Sequence, residues 1–418
     1  MADISAPAAT PFRLSMLLYD RRYRSMTIQV FVFILVMAFA WWLVGNTIQN
    51  LRVMGKDFDL GFLGQRAGYD IPSPPIPYTS DDTHLRATIV GLLNTVIVSV
   101  LGCIAATVLG ITVGVARLSN NWLFARLMTI YVEMFRNIPL LLWILIVYAI
   151  FTEVLPPPNA YRGEDPAASM ILFDNVALTN RYTAIPTLGM TNNPGDLDLG
   201  YRILINWAVI AFAVVLIGGW FLRKAVLANA QKVQDATGDR PVTWWKNLAI
   251  MTVPSLLLIW YFGLHLVPPE LKGFNFAGGL NVQNGFVALW LALTLYTGAF
   301  IAEIVRAGIL AVSKGQSEAA FALGLKPNWT MNLVILPQAL RVIIPPLISQ
   351  YLNLTKNSSL AIAVGYMDLR GTLGGTTLNQ TGRELEAIVL MMLIYLALSL
   401  IISGAMNVYN NRVKLKER

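Results

Sequence analysis

Apolar residues in this chain gather into long unbroken runs instead of alternating with polar ones. Eight runs approach or exceed the ~20 residues that a helix needs to cross a bilayer core: residues 27–45, 88–116, 127–151, 203–222, 248–266, 286–312, 336–354 and 387–404. The first follows Arg21, Arg22 and Arg24 and carries Trp41 and Trp42 at its far end, with no small-residue cleavage site nearby. It therefore predicts a retained span and not a signal peptide. The pattern as a whole predicts an all-α integral membrane protein with about eight transmembrane helices. The runs at 203–222 and 248–266 hold almost no polar groups and read as lipid-facing additions.

Composition sharpens this picture. Of 418 residues, 56% are hydrophobic and 13% charged, whereas a globular domain carries roughly 25% charged residues. A water-soluble enzyme is excluded. The net charge of +8 would suggest nucleic acid in a soluble protein, but here it sorts by loop. Arg13, Arg21, Arg22 and Arg24, then Arg117 and Arg126, then Arg223, Lys224, Lys232, Arg240 and Lys246, then Lys314 and Lys326, then Arg412, Lys414, Lys416 and Arg418 all fall on one side of an eight-span count. Asp57, Asp59, Asp70, Asp81, Asp82, Glu153, Glu164, Asp165, Asp174, Asp196 and Asp198 fall on the other. Retention of Lys and Arg loops inside the cell then places both termini in the cytoplasm, with lipid and not nucleic acid as the partner. The single cysteine, Cys103, lies in an apolar run, and His84 and His265 are far apart. A metal cluster, disulfide framework or Cys-His dyad lacks its parts. No G-x-x-x-x-G-K-[ST] occurs, so no phosphate loop is available for ATP on this chain.

Polar groups at membrane depth are costly and mark function by default. Glu133, Arg136, Asn137 and Pro139 interrupt the third run, and the proline predicts a discontinuous helix of the kind that lines transporter pathways. A plain proline kink, with Arg136 snorkelling to the surface, is the other reading. A second island, Asn353, Thr355, Lys356, Asn357, Ser358 and Ser359, is followed by apolar residues 360–364, too few to span and too many for a solvated loop. It predicts re-entry into the bundle, with donors for a carboxylate and acceptors for an ammonium. Asn94 and Thr95 lie in the second run among Gly91, Gly102, Gly110 and Gly114, whose spacing favours close helix packing. Glu303 and Arg306 share a helical face and read as a structural ion pair in preference to a proton relay.

Residues 313–328 punctuate a short helix. Ser313 and Gln316 have capping-box spacing, Gly324 suits a left-handed C-terminal cap, and Pro327 stops continuation, leaving Asn328 to cap a second helix that ends at Pro337. The result is a rigid knob whose Ala319, Ala320 and Ala322 let another protein approach.

The residues Glu318-Ala319-Ala320, Gly324 and Val334-Ile335-Leu336-Pro337 resemble the EAA loop of ABC importer permeases, with valine where isoleucine is usual at 334. The segments around Glu133-Met-Phe-Arg136-Asn137-Ile-Pro139, Tyr296 to Gly308 and Lys356-Asn357-Ser358-Ser359 are similar to the polar amino acid, or histidine permease type, subfamily. The extra first run, the insertion and Ala67-Gly68-Tyr69-Asp70-Ile71 look like the larger permease of general L-amino acid importers. The resemblance implies the type I importer fold, a five-helix core with peripheral helices. It divides the chain into residues 1–86 (N-terminal segment, first span and outer loop), 87–404 (permease domain with an insertion at about 153–285 holding two extra helices) and a basic tail, 405–418. It implies a non-enzymatic subunit that moves L-amino acids across the bacterial inner membrane. ATP and Mg would bind a partner ATPase dimer seated on a coupling helix at about 317–323, with Gln316, Glu318, Ala319, Ala320 and Gly324 at the joint. A second permease and a periplasmic binding protein, docked on the acidic outer loops, complete the implied assembly. Asn94, Thr95, Arg136, Asn137, Lys356, Asn357, Ser358 and Ser359 are the implied pathway residues, and Asn357 stands where an acidic residue is frequent. The alternative is an ion-coupled secondary transporter using Glu133 or Glu303, which would need neither knob nor ATPase and for which no inverted repeat is evident.

Overall fold

The computed structural model describes Tyr19 and residues 21–53, 55, 57–163, 166–198, 200 and 204–413. Arg13, Glu164, Asp165, Lys414, Lys416 and Arg418, together with the side chains of Arg21, Arg22 and Arg412, lie outside the described residues. The chain divides into two compact units, Met1–Phe62 and Leu63–Arg418. The first is built on one helix, α1 (Arg21–Val53), whose 33 residues exceed a bilayer's thickness. Residues 63–86 fasten to the rest of the second unit: the Tyr69 hydroxyl meets Thr377 Oγ1 at 3.0 Å, and the Pro72 carbonyl accepts from Gln283.

The second unit is a helical bundle formed by α2 (His84–Ala116), α3 (Trp122–Asn137), α4 (Leu140–Ala149), α5 (Trp207–Thr237), α6 (Trp244–Phe262), α7 (Asn284–Leu310), α8 (Lys314–Ala322), α9 (Leu336–Asn357) and α10 (Glu384–Val413). Helix α7 is its axis. Leu289, Leu293 and Ile301 on it are fully buried, and α2, α4 and α9 pack around it through Val98, Ala106, Ile144, Ile343 and Leu354. The approach of α2 to α7 requires glycine: a Cβ on Gly110 would lie 2.6 Å from Ile301 Cβ, and one on Gly114 would lie 2.7 Å from the Ala302 carbonyl. The packing reading of these glycines is the one the geometry supports.

Three sequence expectations change. Among the described residues, six helices are long and apolar enough to cross a membrane, or seven with the bent α3–α4 pair as one span, in place of eight. The run at 248–266 does not remain helical throughout: α6 ends at Phe262 after 19 residues, and the rest is strand β6 (Leu264–Val267). The run at 127–151, by contrast, is broken as its proline predicts, into two helices with a bend of 106° between them. Nor is the chain wholly α. Among the described residues, nine strands of two to four residues occupy the segments flanking α5–α6, including β2 (Tyr182–Ile185) paired antiparallel with β9 (Leu280–Gln283), and β3 (Thr187–Met190) paired with β6. They gather at one end of the bundle, against the start of α7, where Asn284 donates to the Thr179 carbonyl at 2.8 Å. The knob at α8 lies at the other end.

Candidate functional site

The site begins with the proline. Pro139 disfavours helical dihedrals at the preceding residue, and here Ile138 is extended at φ −108°, ψ 134°, so that α3 stops at Asn137. Helix α4 restarts at Leu140 with no side chain capping its first turn. A helix N-terminus, the positive end of a backbone dipole, thus lies inside the bundle. Its depth follows from the far end of α4, where Phe151 accepts from Asn284: twelve residues of helix put Pro139 about 18 Å below that level.

The second polar island also returns into the bundle. Helix α9 runs through Lys356 and Asn357 and tightens into a 3-10 helix, Ser358–Val364, capped by Gly365 at φ +68°. The Val364 carbonyl abuts Gly285, so at ~2 Å rise per residue Asn357 lies about 14 Å below the start of α7. Ala361 and Val364 pack into the core that holds Leu140 and Ile144 of α4. The segment is therefore folded into the bundle and is not a solvated loop. Lys356 is exposed, forms no described ion pair, and stands in the last turn of α9. The start of α4 thus presents the positive end of its backbone dipole, and Lys356 places an ammonium on the last turn of α9. Asn357 and Ser359 are half-buried, whereas Ser358 is buried and spends its hydroxyl on the Thr355 carbonyl at 2.8 Å. A cleft of about 490 Å³ opens among α2, α9 and α10, lined by Ser99, Cys103, Thr107, Tyr351, Thr355 and Met406.

Other predicted residues have structural partners. Asn94 Nδ2 donates to the Met367 carbonyl at 2.8 Å, and Thr95 Oγ1 accepts from Leu369 N at 3.0 Å while donating to Gly91. Both are buried and fasten α2 to the 366–369 loop. Asn137 is exposed and donates to Glu133 at 3.3 Å. Glu303 does pair with Arg306, at 3.4 Å, but it also takes Arg117 at 2.5 Å and Arg136 at 3.6 Å. One carboxylate thus gathers three guanidiniums, from α3, from α7 and from the end of α2. Sequence reading counted Arg117 only as a loop charge, since its partner lies 186 positions away. It also passed over Asp368, fully buried at a helix start, where it accepts from Gly371 N at 2.8 Å and from the Tyr395 hydroxyl at 3.3 Å.

At the other end, α8 spans Lys314–Ala322, earlier than the expected 317–323. The capping box does not form: the Ser313 hydroxyl makes no cap, and Gln316 Oε1 accepts from Gln338 at 3.1 Å. The C-terminus behaves as expected, with Gly324 at φ +77° and Leu325 N donating to the Ala320 carbonyl, the double turn of a Schellman motif. Lys326, not Asn328, precedes the next turn, Pro327–Thr330. That turn passes through a π segment, Met331–Ile335, directly into α9, so the helix does not end at Pro337. Glu318 and Ala319 are exposed and Ala320 is buried against the turn.

A bundle broken at mid-depth, with a rigid punctuated knob beyond its spans, defines a membrane transport subunit. Residues 245–415 match the family model of binding-protein-dependent transport system inner membrane components. The chain is 57% identical over 426 residues to the glutamate/glutamine/aspartate/asparagine transport system permease protein BztB of Rhodobacter capsulatus, covering 100% of each. It is 43% identical to the general L-amino acid transport system permease protein AapQ of Rhizobium johnstonii, covering 97% of this chain and 96% of that one. It is also 43% identical to the putative amino-acid ABC transporter permease protein YhdX of Escherichia coli strain K12, covering 94% and 95%. The chain belongs to this family, the permease subunits of ABC amino acid transporters. It is a transport subunit and not itself the ATPase, which in this family is a separate chain.

Proposed function

We propose that this chain conducts acidic amino acids and their amides, glutamate, glutamine, aspartate and asparagine, inward across a bacterial inner membrane. The observation that carries the reading is the end-to-end 57% identity with a permease named for those four. The local chemistry supports it. The α4 N-terminus and Lys356 receive carboxylates, and Asn357 adds no negative charge that would select cations. The knob end, where Lys314 and Lys326 lie, faces the cytoplasm together with both termini, and α8 seats on an ATPase dimer that holds ATP and Mg. A second permease completes the pathway, and a periplasmic binding protein delivers substrate at the strand-bearing end; nucleic acid has no part. The pathway residues are Arg136, Asn137, Lys356, Asn357 and Ser359, with Asn94, Thr95 and Ser358 as their supports.

The test is ATP-dependent uptake of the four labelled amino acids into vesicles holding this chain and its importer partners, compared with Glu318→Lys. Uptake that is driven by ATP and lost in the variant is the expected result. Uptake that follows an ion gradient without ATP would overturn the reading.

A further inference from the structure

Glu303 is where three helices meet. Its Oε2 takes Arg117, the residue closing α2, at 2.5 Å, and Arg136, in the last turn of α3, at 3.6 Å, while Oε1 takes Arg306 of its own helix at 3.4 Å. The two contacts on Oε2 differ in kind. Arg117 is 6% exposed and its Nε also reaches Thr129 of α3, so it is fixed. Arg136 is 35% exposed, beyond hydrogen-bond length, and otherwise lies over the Phe300 ring at 5.5 Å, so it is free to slide. One oxygen therefore carries a tight contact and a loose one, as a pivot and a moving arm would.

The two helices joined are also the two that matter for transport. Arg136 stands three residues before Pro139, where α3 gives way to α4. Glu303 lies within two turns of the end of α7, which leads through residues 311–313 into the knob helix α8. A displacement of α8 is passed into α9 on one side and along α7 on the other, and on the α7 side the loose arm is the charged connection to the broken helix. We propose that Glu303 is a positioning residue that transmits displacement of the knob, along α7, to the 137–140 break through Arg136. This rests on the importer reading above. Without the carboxylate, three guanidiniums face each other unbalanced, and the arm has nothing to follow.

The experiment uses the whole importer complex in vesicles and reads the amino acids taken up per ATP hydrolysed. In Glu303→Gln the complex assembles and ATP turnover persists, but uptake per ATP falls about tenfold or more. Glu303→Asp, which keeps the charge, restores most of it. Arg136→Gln gives a similar loss, and the double variant loses no more than either single one, as expected of one shared contact. An unchanged ratio in Glu303→Gln, additive losses in the double variant, or equal failure of the Gln and Asp variants to assemble would each overturn the proposal. Absence of ATP-driven uptake in the wild type would instead sink the importer reading, before any variant is compared.

Discussion

Two glycines of α2 show how far packing depends on a single missing carbon. A Cβ on Gly110 would press on Ile301 Cβ at 2.6 Å and on the Gly298 carbonyl at 3.0 Å, both fixed to the neighbouring helix. On Gly102 it would meet only the methyls of Leu354, at 3.2 and 3.4 Å. Gly110→Ala is therefore expected to cost about 1–3 kcal/mol and Gly102→Ala well under ~1 kcal/mol, measured as the thermal loss of folded, detergent-solubilised protein. Equal effects would mean that α2 can shift on α7. A second residue-scale prediction concerns Asn357, which is uncharged beside the exposed Lys356. Asn357→Asp is expected to lower uptake of glutamate and aspartate several-fold, up to about tenfold, more than that of glutamine and asparagine, read by competition between labelled substrates. Equal losses for acids and amides would remove residue 357 from the pathway. The glycines were legible in sequence because small residues at helical spacing have one common use in membranes. Of the partners of Glu303, Arg306 was legible three residues along the same helix, whereas Arg117 and Arg136 were not, because nothing local marks an arginine 186 positions away as a counter-charge.

At the scale of elements, the knob illustrates which local signals survive folding. Gly324 at φ +77° closes α8, since that conformation is open to glycine and costly to residues with a Cβ. Its start was misread because Gln338, brought close only by the fold, claims the Gln316 side chain, and a longer-range partner outcompetes a local cap. Likewise the π turn at Met331–Ile335 absorbs the irregularity before Pro337, letting a proline that should end a helix sit near the beginning of one. The closed knob leaves Leu323 82% exposed, with Phe321 and Trp329 also open to solvent. Gly324→Ala is expected to cost about 1 kcal/mol or somewhat more locally and to reduce uptake partially. Glu318→Lys should abolish uptake while leaving capture of the loaded binding protein unchanged, as co-purification would show. Full uptake in Glu318→Lys would remove α8 from the joint with the ATPase.

Across the whole second unit, the strand-bearing end constrains a count that hydropathy leaves open. The strands there have two to four residues, too short for alternation to announce them, and β2 finds β9 about a hundred positions later. The pairing of β3 with β6 puts Gly189 opposite His265, and Asn192 donates to the Tyr261 carbonyl at 2.8 Å. Trp207 N, opening α5, donates to Gly195. The start of α5 and the end of α6 are thereby held at the same end, and the turn between Thr237 and Trp244 lies at the other. Thirty-one residues of α5 reach ~46 Å and nineteen of α6 ~28 Å, so the pair crosses twice or not at all. Whether α6 alone passes a hydropathy threshold cannot change the side on which α7 begins. Helix α7 then carries the chain to the knob, α9 returns it, and α10 runs back. Reporters inserted after Asp239, Gly315 and Asn410 should therefore share one compartment, and reporters after Asn193 and Gly273 the opposite one. Should Asp239 fall with Asn193 while Gly315 does not, the α5–α6 hairpin stays on the strand-bearing side, and neither helix is a span.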